Sequence, residues 1–283
     1  MLKSITIAGL RVTQATKTQV LETLKDRLNE GVQTSIVTPY SEFLYASLHK
    51  PEVQNMLNEA DISIPDGVGM LWAETFLNQP LIKTSSKLLR GLHATWQMVS
   101  TGAQILLNPK SIYKTIPEKI VGADFFWDLI RLAESRGDSI FLLGGYGNTT
   151  NTVAKILKNK YPRLAVVGLS NANYPGTLEL LEDIKRTQSK YLFVAWGPIR
   201  QEQWILENLK HLPDVKLAIG LGATFDYVAG TKKAPPRLIR QLGLEWLFRL
   251  ITQPYRYKRI YNATIGLILS LIAYKINRVD VRD

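Results

Sequence analysis

Over the first 230 residues, short apolar runs alternate with stretches in which apolar residues recur every three or four positions. The runs SIFLL (139–143), LAVVG (164–168), YLFVA (191–195) and KLAI (216–219) read as strands. The stretches 124–136, 150–160, 178–187 and 201–210 read as helices with one apolar face. Nearer the start, residues 5–12 read as one strand bent at Gly9. Thr16 then caps a helix in which Val20, Leu21, Leu24 and Leu28 share a face, and Gly31 ends it. A short strand at 35–37, helical pieces from Ser41 and from Glu52, and a strand at 61–64 complete this part; the last breaks at Pro65-Asp66-Gly67. Buried strands separated by amphipathic helices imply an α/β, Rossmann-like parallel sheet with helices on both faces. From Pro235 onward the pattern is all-helical, so the chain divides into a Rossmann-like domain over 1–230 and a helical appendage over 231–283.

Charge sharpens this division. The 283 residues carry a net charge of +11. From Thr231 to the end, 11 Lys and Arg face 3 acids, and between 81 and 116 there are 5 basic residues and no acid. The rest therefore sums to −2, since 11 − 8 − 5 = −2. Both basic segments hold apolar stretches, 15 uncharged residues at 260–274 and 19 at 91–109. The first is shorter than the roughly 20 residues of a spanning helix and the second is too polar. Two readings of 260–274 stay open: a helix lying in the headgroup region of an anionic membrane, or a core or oligomer-interface helix. The basic residues follow no RNP, helix-turn-helix or zinc-finger pattern, so no nucleic-acid partner is expected. The absence of cysteine excludes disulfides and thiol chemistry. The opening MLKSITIAGLRVTQATKTQ has no long apolar run with a small-residue cleavage site, so an intracellular protein is expected.

Ligands of such sheets bind beyond the carboxyl ends of the strands, which directs attention to four loops. Thr38-Pro39-Tyr40-Ser41 is a strand-to-helix turn that Ser41 alone would explain as an N-cap. Pro65-Asp66-Gly67-Val68-Gly69 contains an ordinary turn signal, but also sets a lone carboxylate after a strand among glycines. Gly144-Gly145-Tyr146-Gly147-Asn148-Thr149 offers backbone amides and a helix start to a phosphate, without being a dinucleotide or Walker A loop. In Trp196-Gly197-Pro198-Ile199-Arg200-Gln201-Glu202, a capping role suffices for Glu202. His49, His93 and His211 are scattered without metal-ligand spacing, and no metal is expected. Any diphosphate would have to be met by Arg or Lys, and Arg249, Arg256 and Arg259, seven and three residues apart, could face one anion.

The segments TPYSEF, ADISIPDGVGMLWA, PEKIVGADFF, FLLGG, GPIRQEQW and GLGATFDYVAGTKKAPPRLIRQLGLEWLFRLITQPYRYKR resemble, in that order, the WecG/TagA/CpsF family of bacterial glycosyltransferases. The resemblance covers about 4–260, apart from the 81–116 insert. It implies an inverting, metal-independent transfer of an N-acetylmannosamine-type sugar from a UDP-sugar to a polyprenyl-diphosphate-linked sugar. It implies no further cofactor, and work in cell-surface polysaccharide synthesis on the cytoplasmic, inner face of the plasma membrane, at an anionic surface. Asp66 matches the family's base. Thr38, Gln201 and Asp226 match pocket positions, and Arg249, Arg256 and Arg259 match tail arginines that close over the diphosphate. Two positions depart: Tyr40 stands where the family has asparagine, and Lys119 where it has arginine, keeping the charge but not the fork. Two other readings remain, a membrane-associated scaffold whose pocket Tyr40 blocks, and a transferase for another nucleotide-sugar. Monomer, dimer and larger ring are all compatible with the sequence.

Overall fold

A computed structural model describes residues 2–113 and 115–279. Strands β1 (Ser4–Ile7) and β2 (Leu10–Thr13) pair antiparallel, with Ile7 opposite Leu10. The single bent strand expected over 5–12 is thus a hairpin. Ala8 and Gly9 both take positive φ, +47° and +88°, which reverses the chain between them. Helix α1 (Lys17–Asn29) opens as expected on Thr16. The Thr16 hydroxyl accepts from the Gln19 amide, and the Gln19 side chain accepts from the Thr16 amide.

The chain continues through β3 (Thr34–Val37), α2 (Ser41–His49), α3 (Pro51–Glu59), β4 (Ile62–Ser63) and α4 (Val68–Asn78). Tyr40, rather than Ser41, occupies the N-cap of α2, with extended backbone and no side-chain cap bond. The insert forms one helix, α5 (Lys87–Leu107), followed by a 3₁₀ turn at Pro109–Ile112. Then come α6 (Gly122–Arg136), β5 (Ser139–Gly144), α7 (Thr149–Lys160), β6 (Ala165–Ser170), α8 (Leu178–Thr187), β7 (Tyr191–Ala195), α9 (Arg200–Asn208), β8 (Leu217–Gly220) and α10 (Thr224–Val228). The tail holds α11 (Arg237–Gln241), α12 (Glu245–Thr252), α13 (Tyr257–Tyr261), a π-type turn at Asn262–Gly266 and α14 (Leu267–Val279).

Strands β3 to β8 form one parallel sheet in the order β4-β3-β8-β7-β5-β6. Alternate residues feed two cores, as the period of a strand requires. Ile140, Leu142, Tyr191, Phe193, Leu217 and Ile219 pack with α1, α6, α7 and α10, around Phe125, Phe126 and Leu129. Phe141, Leu143, Leu192, Val194 and Ala218 pack with α8 and α9 on the other face. Every residue of β7 is buried, which is why it reads as an unbroken apolar run.

A further core lies beside β3 and joins the hairpin, α2, α3, α4, α5 and α14. Here Leu267 and Leu271 of α14 are buried, and the helix packs against α5, α2 and α4. Lys275 is buried as well. Its ammonium donates to the Phe76 carbonyl and to Gln97 Oε1 (2.6 Å), and lies 4.3 Å from the Phe76 ring centre. Burial lowers its pKa to about 8. The run Pro254–Arg278 is long and apolar enough to cross a membrane by length and composition. One side of it nevertheless belongs to the core, while Tyr261, Ile265 and Leu269 remain exposed.

Candidate active site

The carboxyl ends of β3, β4, β5, β7 and β8 open on one cleft of about 1470 Å³. Its wall includes Thr38 and Tyr40 after β3, Asp66 and Gly67 after β4, Gly145 and Tyr146 after β5, Trp196 and Gly197 after β7, and Gly222 after β8. All four loops singled out in the sequence therefore meet. The tail closes the remaining side with Glu245, Arg249, Arg256 and Arg259. The Pro254 break between α12 and α13 lets these arginines share the cleft despite their seven- and three-residue spacing.

Asp66 is held by its backbone and by α6. Its amide donates to the Pro39 carbonyl (2.9 Å), and its Oδ2 accepts from the Gly122 amide (3.3 Å). Gly67 follows at φ +85°, a conformation that lets α4 begin at once behind the carboxylate. Burial, and then repulsion from Glu245, push the Asp66 carboxyl up to about 7. The Gly122 amide, Arg249 and Lys119 pull in the opposite direction without prevailing. Asp66 can thus take or hold a proton near neutrality.

The other expected residues divide by what already occupies them. Thr38 lines the cleft beside Gly122, whose β-position lies 3.7 Å from the Thr38 methyl. The Tyr40 hydroxyl donates to Glu42 Oε2 (2.8 Å), and burial raises its pKa far above the ordinary range. Its ring packs edge-on against Phe43, 5.1 Å between centres, and leaves the cleft open. Arg259 forks onto the same Glu42, with Nε at 2.8 Å and Nη2 at 2.9 Å, and its pKa is raised further by that pairing. Asp226 is paired with Lys232 and accepts from the Thr231 hydroxyl (3.4 Å). Lys119 does not line the cleft. Its ammonium donates to the Arg240 carbonyl (2.9 Å), fixing α11 against the loop before α6.

Gln201 lines the cleft with its side-chain amide already engaged. Its side-chain oxygen accepts from the amides of Gly197 (3.1 Å) and Gly222 (3.0 Å), and its Nε2 donates to Glu202 (2.7 Å). Glu202 in turn accepts from the Ile199 amide (2.6 Å), where a non-glycine backbone sits at φ +72°. Burial pushes Glu202 up to about 7. The capping role expected for Glu202 is present, and the buried pair also ties the β7 and β8 loops together. Gly220 packs against it: a β-carbon there would stand 2.6 Å from Gln201 Nε2. We expect Gly220→Ala to destabilise the fold by about 1–3 kcal/mol through this overpacking, read from chemical denaturation.

Sequence reasoning missed three contributors. Glu42 anchors Arg259 and Tyr40, and the charge of Glu245 adds to burial in raising the Asp66 carboxyl. The third is an aromatic wall: Tyr174 stands edge-on to Trp196 (5.8 Å), whose indole nitrogen donates to the Ala172 carbonyl (2.6 Å), and the Arg200 guanidinium lies 5.7 Å from the Tyr174 ring. Glu245 was legible as the residue one turn before Arg249 in GLEWLFR. The aromatic wall gave no local signal, because Tyr174 and Trp196 come from separate loops.

The model of the glycosyl transferase WecG/TagA/CpsF family matches residues 5–90 and 83–280, nearly the whole chain. The protein belongs to this family. It is similar to the N-acetylglucosaminyldiphosphoundecaprenol N-acetyl-beta-D-mannosaminyltransferase of Bacillus subtilis (strain 168), with 25% identity over 238 residues that cover 84% of this chain and 79% of that protein. A transferase of the same name from Staphylococcus aureus (strain MRSA252) is 24% identical over 269 residues, 92% of this chain and 89% of its own. The protein is therefore a glycosyltransferase, and Tyr40 is part of the wall of its cleft rather than a plug.

Proposed function

We propose that the protein transfers an N-acetylmannosamine-type sugar from a UDP-sugar to an N-acetylglucosaminyl-diphosphate-polyprenol, in the synthesis of a cell-surface polysaccharide. The observation that carries this reading is the Asp66 carboxyl, poised at about 7 in a cleft shared with three arginines. Asp66 accepts the proton of the acceptor hydroxyl as that oxygen attacks the anomeric carbon. The bond from that carbon to the UDP oxygen breaks, and the leaving charge falls among Arg249, Arg256 and Arg259. A single displacement inverts the anomeric configuration. The start of α7, which lines the cleft with Thr149, suits the donor's phosphates, and the Tyr174–Trp196 wall offers its base an aromatic face.

Fixed cations take the part a metal plays elsewhere, and among the described residues no three His, Asp or Glu side chains converge as a ligand set. The names of the relatives support the sugar and the acceptor. The membrane side of the reading rests on surface chemistry. Helix α5 presents Leu88, Leu92, Trp96 and Val99 outward on one stripe, Trp96 being 67% exposed, with Lys83 and Lys87 exposed at its start. The protein lies on the inner face of the plasma membrane through this stripe and the outer side of α13 and α14.

A panel of UDP-sugars offered with the lipid acceptor, with and without EDTA, tests the assignment. One donor is used and survives chelation, and the rate is higher with acceptor in anionic than in zwitterionic vesicles. Loss of turnover in EDTA, restored by a divalent ion, overturns the metal-free mechanism; silence with every donor overturns the reaction.

A further inference from the structure

The catalytic cleft does not end at the arginines. The same cavity continues to Gly102 and Ile105 of α5 and to Ile265, Leu267 and Ile268 of the tail, an end to which these two elements bring no charge. One cavity is thus cationic where it meets Asp66 and hydrocarbon-lined where it leaves. Such a gradient suits a molecule with a diphosphate at one end and an apolar chain at the other, since each half would be costly to seat in the other's place.

Gly102 adds an independent mark. It interrupts the interior of a 21-residue helix, where glycine costs up to about 1 kcal/mol relative to alanine. No packing demands it, for a β-carbon there would meet nothing within 4 Å. The glycine lines the cavity, and the space beside its α-carbon is open. Three residues after Val99, it stands at the margin of the exposed apolar stripe of α5, so the cavity's apolar end borders the surface assigned to the membrane.

We propose that the groove between α5 and the start of α14 seats the first isoprenoid units of the acceptor's lipid chain, and that the 81–116 insert thereby selects a long-chain lipid acceptor. This rests on the lipid-linked acceptor proposed above. The chain leads away from the cationic part of the cleft, between Gly102 and Ile268, and out along the stripe into the bilayer.

The test is direct binding of fluorescent polyprenyl diphosphate, compared with a diphosphate bearing a short alkyl tail, to the full chain at fixed detergent concentration. The wild-type protein binds the long chain at least about tenfold more tightly, since burial of only two methylenes yields that much. Gly102→Leu, which fills the groove, and Ile268→Gln, which makes the opposite wall polar, both reduce this preference to about threefold or less. Two variants on opposite walls guard against one failing to fold. Equal affinity for long and short tails in the wild-type protein, or an unchanged preference in both variants, overturns the groove. Chain-dependent binding that is lost in the variants while no sugar transfer is ever seen leaves the groove standing and removes the reaction.

Discussion

Asp66→Asn is expected to lower the rate of transfer by about 10²–10⁴-fold, the ordinary worth of a general base, while donor affinity moves by less than about twofold. The substitution keeps shape and volume, and the amide oxygen can still accept from the Gly122 amide that now meets Oδ2 at 3.3 Å. What it removes is the capacity to take a proton. Because the acting form is the carboxylate and its pKa is raised to about 7, kcat/KM of the wild-type enzyme rises with pH through an acid limb near 7. The residual activity of Asp66→Asn lacks that limb. A variant with near wild-type rate, or an acid limb near 4, removes Asp66 from the chemistry.

The same shift has a consequence for stability, with the sign set by linkage. A carboxyl that binds its proton more tightly folded than unfolded favours the fold most below the unfolded pKa near 4, and that contribution is lost as pH rises to about 7. Asp66→Asn abolishes this dependence at position 66. Its melting temperature therefore gains on the wild type as pH increases from 5 to 8, so the loss of rate arrives without loss of fold. Glu202, also raised to about 7, continues to supply a slope of the same sign in both proteins.

Much of this arrangement was visible in the chain. Strands with every residue buried, such as β7, appear as uninterrupted apolar runs, and capping signals such as Thr16 with Gln19 are local. Asp66 stood out as a lone acid among glycines after a strand, but Pro-Asp-Gly alone reads as a turn, and only the family resemblance pointed to a base. What could not be read is what depends on partners distant in sequence. Glu42 meets Arg259 across 217 positions, and Lys119 spends its charge on the carbonyl of Arg240. The hairpin over 4–13 was hidden because Ala8, a residue that seldom adopts positive φ, does so there. In the tail, 15 uncharged residues suit a membrane surface and a core equally well. The structure uses both sides, burying Leu267 and Leu271 and exposing Ile265 and Leu269.

Among the three tail arginines, Arg249→Ala is expected to cost the most, about 10²–10³-fold in kcat, the scale for removing a donor that faces developing charge. The three are unequal in what already holds them. Arg259 has two nitrogens on the Glu42 carboxylate, and Arg256 is half-exposed beside Tyr255, with its guanidinium 5.9 Å from that ring. Arg249 lines the cleft with its Nε unpaired among the described residues, and one turn earlier Glu245 Oε1 is unpaired as well. A half-buried guanidinium left with an unused donor is arranged for an anion that arrives with the substrate. Arg249→Lys keeps the charge but not the planar fork, and recovers only part of the loss. The pH profile gives a second readout. Arg249 is one of the groups that pull the Asp66 carboxyl down, so Arg249→Ala moves the acid limb above 7 while Arg256→Ala leaves it in place. Equal losses from all three alanine variants, with no movement of the limb, would mean that the tail acts as a screen of positive charge rather than through Arg249.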